Sequence, residues 1–385
     1  MTISAFNAYR SYAWGAPEFK PIALETFNNM YGHGRNMGTF PGLTIVDAMD
    51  TLWIMSMMDE WEEGKQWIVT NLHVADLDQM LRVKEILLGY LGGLLSAYAL
   101  SGDQDLLHKS IEVMEALKPA FNKDTGLLAY RYNPKVKFST AKVDNTVQRV
   151  RLRVVNGKVV NTTEPASVDQ VATVTSAPVP IVERDNANSI GLVGFQQPEL
   201  IYFANLTGDS LIEEQLVKSR AVMSSIDRPK GLWMSYLNAA TGKSNFTGTG
   251  LFDETTDFFY NMIRSYVQLN RQDAQLLKMY TDAIDNIQKM QLLKNIGNQL
   301  FARKFETKAL LHTNNMDDTS CLLGGMLALG ARELQKANSP KFHLHWQLAV
   351  NITDTCYQAA NRTKTKLLPH SFTLNNSIST EGWMA

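Results

Sequence analysis

Charge of one sign is missing from this chain. Lys plus Arg total 37 and Asp plus Glu 38, a formal net charge of −1 over 385 residues. That balance leaves no basic footprint for a nucleic acid and no field for an anionic membrane surface. Long apolar runs are missing too. The longest uncharged stretch, Ile86 to Gly102, is 17 residues and is broken by Gly92, Gly93 and Ser96. It is short for a bilayer span, so a buried helix is the expected reading and no membrane span is expected. The N-terminus, MTISAFNAYRSY, has no apolar core of a secretory leader. Cysteine is scarce. Cys321 and Cys356 are the only two, too few for a structural zinc site, which takes four ligands. They are either two buried thiols or one disulfide. What the chain does have is 45% apolar residues and 19% charged, enough for a full core and unlike a disordered tail. Six Asn-x-Ser/Thr sequons begin at Asn161, Asn205, Asn245, Asn351, Asn361 and Asn375. About three or four would arise by chance, so the excess points to a secretory lumen.

Helical periodicity dominates the rest. Val46, Met49, Leu52, Trp53 and Met57 recur at helical spacing, as do Leu87, Leu91, Leu94, Leu95 and Tyr98. Two helices run into Leu100-Ser101-Gly102-Asp103 and Leu206-Thr207-Gly208-Asp209, and a second apolar stripe follows each. Glycine just past a helix end takes the left-handed conformation and Asp caps the next helix, so each tetrapeptide predicts a tight turn between antiparallel helices. Further pairs are predicted within 43–70, at 258–270 with 274–290, and at 321–336 with 345–360. The inner members at 43–57, 86–100, 190–205 and 316–331 are apolar nearly all round, and the outer members at 104–118, 209–223 and 273–290 carry charge on one face. A buried inner layer within an amphipathic outer layer is what a closed ring of helix pairs requires. The expected fold is therefore all-α, one domain over 1–385. Arg149, Arg151 and Arg153 alternate with Val150, Leu152 and Val154 before Asn156-Gly157 and Lys158-Val159-Val160. This predicts a β-hairpin inserted near 146–175, with Val171 to Val174 as a third strand.

Acidic residues set into apolar helices are the anomaly. Glu85 opens an uncharged helix, Glu199 sits in QQPELIYF, Asp257 directly precedes Phe258-Phe259-Tyr260, and Asp47 and Asp50 share a face with Ile45, Val46 and Trp53. Burying a charge is costly unless it is paired or used. Any one of them could cap a helix or favour its dipole. Several on successive inner helices would converge on the axis of a ring. Converging carboxylates flanked by aromatics are the equipment of glycoside hydrolysis, in which one acid protonates the leaving oxygen and another activates water.

These residues resemble glycoside hydrolase family 47, the class I α-1,2-mannosidases built as an (α/α)7 barrel. The resemblance runs in family order through AYRSYAWGAPEFKPI (8–22), GLTIVDAMDTLWIM (42–55), LGGLLSAYALSGD (91–103), PELIYFANLTGD (198–209), GLWMSYLNAATGK (231–243), DFFYNMIRSYV (257–267), MDDTSCLLGGMLALG (316–330) and TCYQAA (355–360). The cysteine-bearing stretches look like the ER and Golgi mannosidase I branch. The resemblance implies that Glu85 is the general acid, Asp257 the second catalytic carboxylate and Glu199 a contact to the bound mannose. It implies a Cys321–Cys356 disulfide, and a structural role for Asp47 and Asp50. It further implies an inverting hydrolase of high-mannose N-glycans, calcium-dependent, monomeric and lumenal, with no nucleic-acid partner.

Departures from the pattern shape the remaining expectations. Gly89 stands where the family has an Arg four residues after its acid, and Thr255 where it has an Arg two before the catalytic Asp. His370, in Leu367-Leu368-Pro369-His370, takes the place of a Glu. The segments that carry the family's general base and its calcium-holding Thr have no counterpart before Ala385. No metal ligand is therefore assigned, and five of seven pairs are expected, in a barrel open at its C-terminal end. The competing expectation is a glycan-binding or scaffolding relative with impaired turnover. A generic helical-repeat interaction protein would explain the helix pairs but not the carboxylates.

Overall fold

The computed structural model describes residues 1–27, 39–135, 151–155, 158–162, 187–228, 231–245, 249–250, 253–306, 311–313, 315–374 and 378–379. Eleven helices carry the architecture among these: α1 (Thr2–Ala13), α2 (Leu43–Ile54), α3 (Met58–Asn71), α4 (Val83–Ser101), α5 (Gln104–Leu117), α6 (Ile190–Thr207), α7 (Ser210–Ser225), α8 (Asp253–Gln268), α9 (Ala274–Lys289), α10 (Leu322–Lys336) and α11 (Phe342–Arg362). From α2 onward they form five antiparallel pairs, with α2, α4, α6, α8 and α10 as the inner members. Inner helices pack on one another, α2 on α4, α4 on α6, α6 on α8 and α8 on α10. The fold is the all-α, paired-helix barrel architecture that the periodicity predicts.

The turns repeat one device. Gly102 and Gly208 both adopt positive φ, 72° and 71°, and close the inner helices by accepting the left-handed bend. The next residue caps the outer helix: Asp103 accepts from the Asp105 amide at 2.9 Å, and Asp209 from those of Leu211 and Ile212. Asp273 caps α9 in the same way. Each capping aspartate is also ion-paired with a cation from the preceding pair. Lys65 lies 3.1 Å from Asp103, Lys118 2.8 Å from Asp209, and Arg220 3.2 Å from Asp273. One carboxylate thus ends a turn, starts a helix and joins two neighbouring pairs. The tetrapeptides predict the cap, but the cationic partners lie 38 to 91 residues upstream or beyond the turn and carry no local signal.

Inner-to-outer turns are short, whereas the return connections are long and carry the strands. Leu81–Arg82 leads into α4, Ala187–Ser189 into α6, and Asn315–Asp317 into the turn that starts α10. These strands pair with other return segments, Leu81 with Tyr132, Ser189 with Tyr236 and Asp317 with Ser371. Irregular polar backbone therefore gathers at the end where the inner helices begin, the end at which binding loops on a rigid scaffold are found.

Apolar periodicity misses some boundaries. The helix expected at 258–270 starts at Asp253, because its polar opening turn Asp-Glu-Thr-Thr adds nothing to an apolar stripe, and the one expected at 345 starts three residues earlier, at Phe342. Helix α1 was marked by no stripe, yet it buries Phe6, Tyr9 and Ala13, with Trp14 edge-on to Phe6 at 5.9 Å. Helix α4 is the one described helix long and apolar enough to cross a membrane, and 56% of its most apolar window is buried within the molecule.

The chain divides into two compact units, Met1–Lys135 with Val182–Ala385, and Val136–Ile181. In the second, strands Arg151–Val155 and Lys158–Thr162 pair antiparallel, Val155 opposite Lys158, which is the hairpin register the alternation predicts. Arg149, Val150, Asn156, Gly157 and the strand expected at Val171 to Val174 lie outside the described residues.

Cys321 and Cys356 form a disulfide with Cα atoms 6.0 Å apart. It ties the start of α10 to the last turns of α11. Replacing both by Ser is expected to lower stability by roughly 4 kcal/mol on loop-closure grounds, about 5 °C in melting temperature for a chain this long. Differential scanning calorimetry of the variant against the parent chain checks it; an unchanged melting temperature would show the bridge to be energetically idle.

Candidate active site

The inner helices present their less buried faces as short polar stripes at helical spacing. On α2 the stripe includes exposed Asp47 and half-buried Asp50. On α4 it is Gly89, Gly92 and Ser96 below Glu85. On α6 it is Phe195, Glu199 and Tyr202, and on α8 Asp257, Tyr260 and Arg264. Positions four and seven apart on a helix share one face, so each stripe is a single line along its helix.

Close approaches put the stripes in order. A Cβ at Gly89 would stand 3.6 Å from Asp47 Oδ1 and collide with Leu43, and one at Gly92 would stand 3.8 Å from Glu199 Cγ. At Gly194 a Cβ would lie 2.8 Å from Phe258 Cα and 3.5 Å from the Asp257 carbonyl oxygen, so only glycine lets α6 approach α8 there. Lys84 Nζ lies 4.9 Å from the Phe195 ring. A Cβ at Gly325 of α10 would stand 3.9 Å from the Tyr260 hydroxyl.

These contacts also set depth. Glu85 precedes Gly92 by seven residues along α4, so it lies above Gly92 on that helix. Glu199 Cγ is level with Gly92, so Glu199 springs from a deeper level than Glu85. Asp257 is level with Gly194, five residues and about 7.5 Å above Glu199. Arg264, two turns below Asp257, comes down to the level of Glu199. The upper tier therefore holds Glu85 and Asp257, and the lower holds Glu199 and Arg264, with Asp47 beside Gly89 between them.

Two backbone irregularities fall at this level. Ile86–Gly92 of α4 is wound in wider, π-helical turns, a feature found often at functional sites. Pro198 lies inside α6 and denies the Gly194 carbonyl its helical donor, immediately before Glu199.

Electrostatics distinguish the carboxyls. Glu85 is 8% exposed, and its Oε1 is 3.3 Å from Arg82 Nη1. Burial raises the pKa of Glu199, opposed by the positive charge of Arg264. Its Oε2 is buried and has no hydrogen-bond partner among the described residues. Asp47 is exposed, yet the protein packed around its carboxyl, helped by the charge of Asp50, pushes its pKa up to about 6. Both hold for a carboxyl on a concave wall, wetted from one side only. Asp50 accepts a hydrogen bond from Ser96 Oγ at 2.9 Å.

Thr255 is fully buried in the first turns of α8. His370 is exposed, and its Nδ1 lies 3.3 Å from Asp318 Oδ1 at the start of the α10 turn. Sequence reasoning missed Arg82 and Arg264. The signal for Arg264 was available: it is the one cation seven residues from Asp257 on the same helical face. Among the described residues no group of three or more His, Cys, Asp or Glu side chains could hold a metal ion. The residues described do not fit a calcium site, and no step is derived through one.

Paired helices packed through a common inner layer, with carboxylates on the inner faces and long connections at one end, define an α/α barrel architecture. The glycosyl hydrolase family 47 profile matches residues 1–155 and 158–384, and the chain belongs to that family. Among its relatives, human mannosyl-oligosaccharide 1,2-alpha-mannosidase IB is 30% identical over 97% of this chain and 51% of its own length. The human endoplasmic reticulum mannosyl-oligosaccharide 1,2-alpha-mannosidase is 28% identical over 95% of this chain and 45% of its own. The chain thus spans about half the length of the curated relatives it matches. Among solved structures, the alpha-1,2-mannosidase from Trichoderma reesei superposes with a TM-score of 0.72 at 16% identity, over 96% of this chain and 69% of that one. Cellobiose 2-epimerase from Bacillus thermoamylovorans shares the fold at a TM-score of 0.56 and 10% identity, over 96% and 86% of the two chains.

Proposed function

We propose that this chain removes terminal α-1,2-linked mannose from high-mannose N-glycans with inversion of configuration. The observation that carries the reading is the family match across nearly the whole chain, which coincides with carboxylates on successive inner helices. Within it Glu85 acts as general acid, held by Arg82 at the top of α4. Asp257 is the second carboxylate on the same tier, and Glu199 contacts the sugar below. An acid of this kind protonates the glycosidic oxygen as the bond breaks, while water attacks from the opposite face of the ring. The aromatic rings of Phe195, Tyr202 and Tyr260 offer apolar surface to the C–H faces of a pyranose.

Residues 1–385 serve as one catalytic-type domain carrying the small inserted unit, and the protein acts as a monomer. Residence in the lumen of the ER or Golgi is supported by the disulfide and by the sequons. Calcium dependence is a property of the family to which the described residues contribute no ligand cluster.

The test is release of free mannose from a high-mannose N-glycan by the purified chain, with and without added calcium. The reading expects loss of α-1,2-linked residues only, with the β anomer formed first. Binding of the glycan without release would favour the glycan-binding relative, and neither binding nor release would defeat both readings.

A further inference from the structure

Arg264 is the feature of the inner wall that the catalytic reading does not use. Its Nη1 donates to Asn261 Oδ1 at 2.9 Å, and its guanidinium carbon lies 5.7 Å from the centre of the Tyr260 ring. Its remaining N–H groups are uncommitted among the described residues. Asn261 is itself fixed, donating from Nδ2 to the Asp257 carbonyl oxygen at 2.9 Å, and is buried. The guanidinium is thereby held on the inner face of α8, exposed, at the depth of Glu199.

Glu199 supplies the complementary acceptor. Its buried Oε2 is an acceptor without a donor among the described residues, an arrangement that is costly unless a ligand fills it. Arg264 is close enough to act on the Glu199 carboxyl electrostatically. Among the described residues, though, no hydrogen bond or ion pair joins the two directly. A donor set and an acceptor on neighbouring inner helices, within electrostatic range but not bonded to each other, match a hydroxyl group, which donates on one side and accepts on the other.

Other charges around Glu199 are accounted for. Lys84 and Glu85 lie on the upper turns of α4, Lys84 over the Phe195 ring and Glu85 with Arg82. Asp257 is two turns above on α8. Arg220 of α7 donates to Gln197 and pairs with Asp273.

We propose that Arg264 is a positioning residue of the sugar site: one hydroxyl of the bound mannose bridges the pair, donating to Glu199 Oε2 and accepting from an Arg264 N–H. The proposal rests on the mannosidase reading and deepens it by naming a second partner for the sugar. It also gives Arg264 an electrostatic duty, opposing the rise in the Glu199 pKa that burial causes.

Two measurements test it. In calorimetric titration with α-1,2-mannobiose at pH 7, Arg264→Leu is expected to weaken binding about 10- to 150-fold, the span of a lost hydrogen bond to a charged group. Arg264→Lys should recover part of the loss. Separately, the Glu199 carboxyl can be followed by carbon NMR in chain labelled at glutamate, with Glu199→Gln assigning the signal. Arg264→Leu should move its titration midpoint upward, and Arg264→Lys should leave it near the parent value. Because Arg264 is exposed, its removal should leave the melting temperature unchanged. Unaltered affinity in Arg264→Leu overturns the bridge, and so does weaker binding with an unmoved Glu199 midpoint, which would mark a merely structural part. Failure of the parent chain itself to bind mannobiose would remove the functional reading along with the bridge. Parent binding that is indifferent to Arg264 removes only this proposal.

Discussion

Glu85→Gln is expected to lower the rate of mannose release from an α-1,2-linked substrate by ~10²–10⁴-fold, the usual contribution of a positioned general acid. The affinity for mannobiose should change by no more than a few-fold. Glutamine keeps the shape and an acceptor for Arg82, so the top of α4 should fold as before, but it has no proton to give to the leaving oxygen. The split between rate and affinity is the informative part. A variant that binds normally and turns over at the parent rate would take the acid role away from Glu85. One that also fails to bind would assign the residue to shape rather than chemistry. Substrates with a good leaving group, such as an aryl mannoside, should be much less affected, because they need little protonation.

The second expectation concerns acid. His345 is fully buried in α11, with Nδ1 3.0 Å from the Tyr280 hydroxyl and Nε2 without a partner among the described residues. Burial drives its pKa down to about 4, with Asp285 raising it and Lys341 lowering it by smaller amounts. The unfolded chain, with a histidine near 6.5, takes up the proton first. Stability from this site is therefore complete above pH ~6.5 and is lost as pH falls towards 4, by up to about 3 kcal/mol. Urea unfolding at several pH values should show that slope, and His345→Asn, which cannot titrate, should flatten it. A slope that survives the substitution would move the cause elsewhere. Glu333 acts in a different window. Its carboxylate is buried and bonded to Arg271 and Lys336, and its pKa is lowered to about 2. Its contribution is present above pH ~4.5 and disappears only at stronger acidity, so the two effects separate on the pH axis.

Much of this protein was legible in the residues alone. Apolar spacing and the two Leu-x-Gly-Asp turns determine the helix pairs, because a 3.6-residue period and a left-handed glycine are local consequences of backbone sterics. The same locality makes the Asn-Gly hairpin readable. The anomalous acids, Glu85, Glu199, Asp257 and Asp47, stood out because a charge in an apolar stripe violates the pattern at its own position. The cysteines were legible as two possible partners. Their bridging was implied by resemblance to the family, and it is the packing of α10 on α11 that brings them to 6.0 Å.

Tertiary structure alone decided what meets what. Nothing near Asp103, Asp209 or Asp273 in sequence announces that Lys65, Lys118 and Arg220 will reach them. The π-helical turns below Glu85 are not encoded by apolar period, which is blind to how the backbone closes its hydrogen bonds. The two-tier order of the carboxyls shows only where Gly92 meets Glu199 and where Gly194 lets α6 approach α8, and glycine in a sequence does not name its neighbour. Arg264 looked like an ordinary surface arginine until Glu199 appeared at its level on another helix. The sequence thus determines each helix and the unusual charges on it, since those follow from covalent neighbours. The pairing of charges across helices follows from distances in space, and only the packing of the helices on one another supplies them.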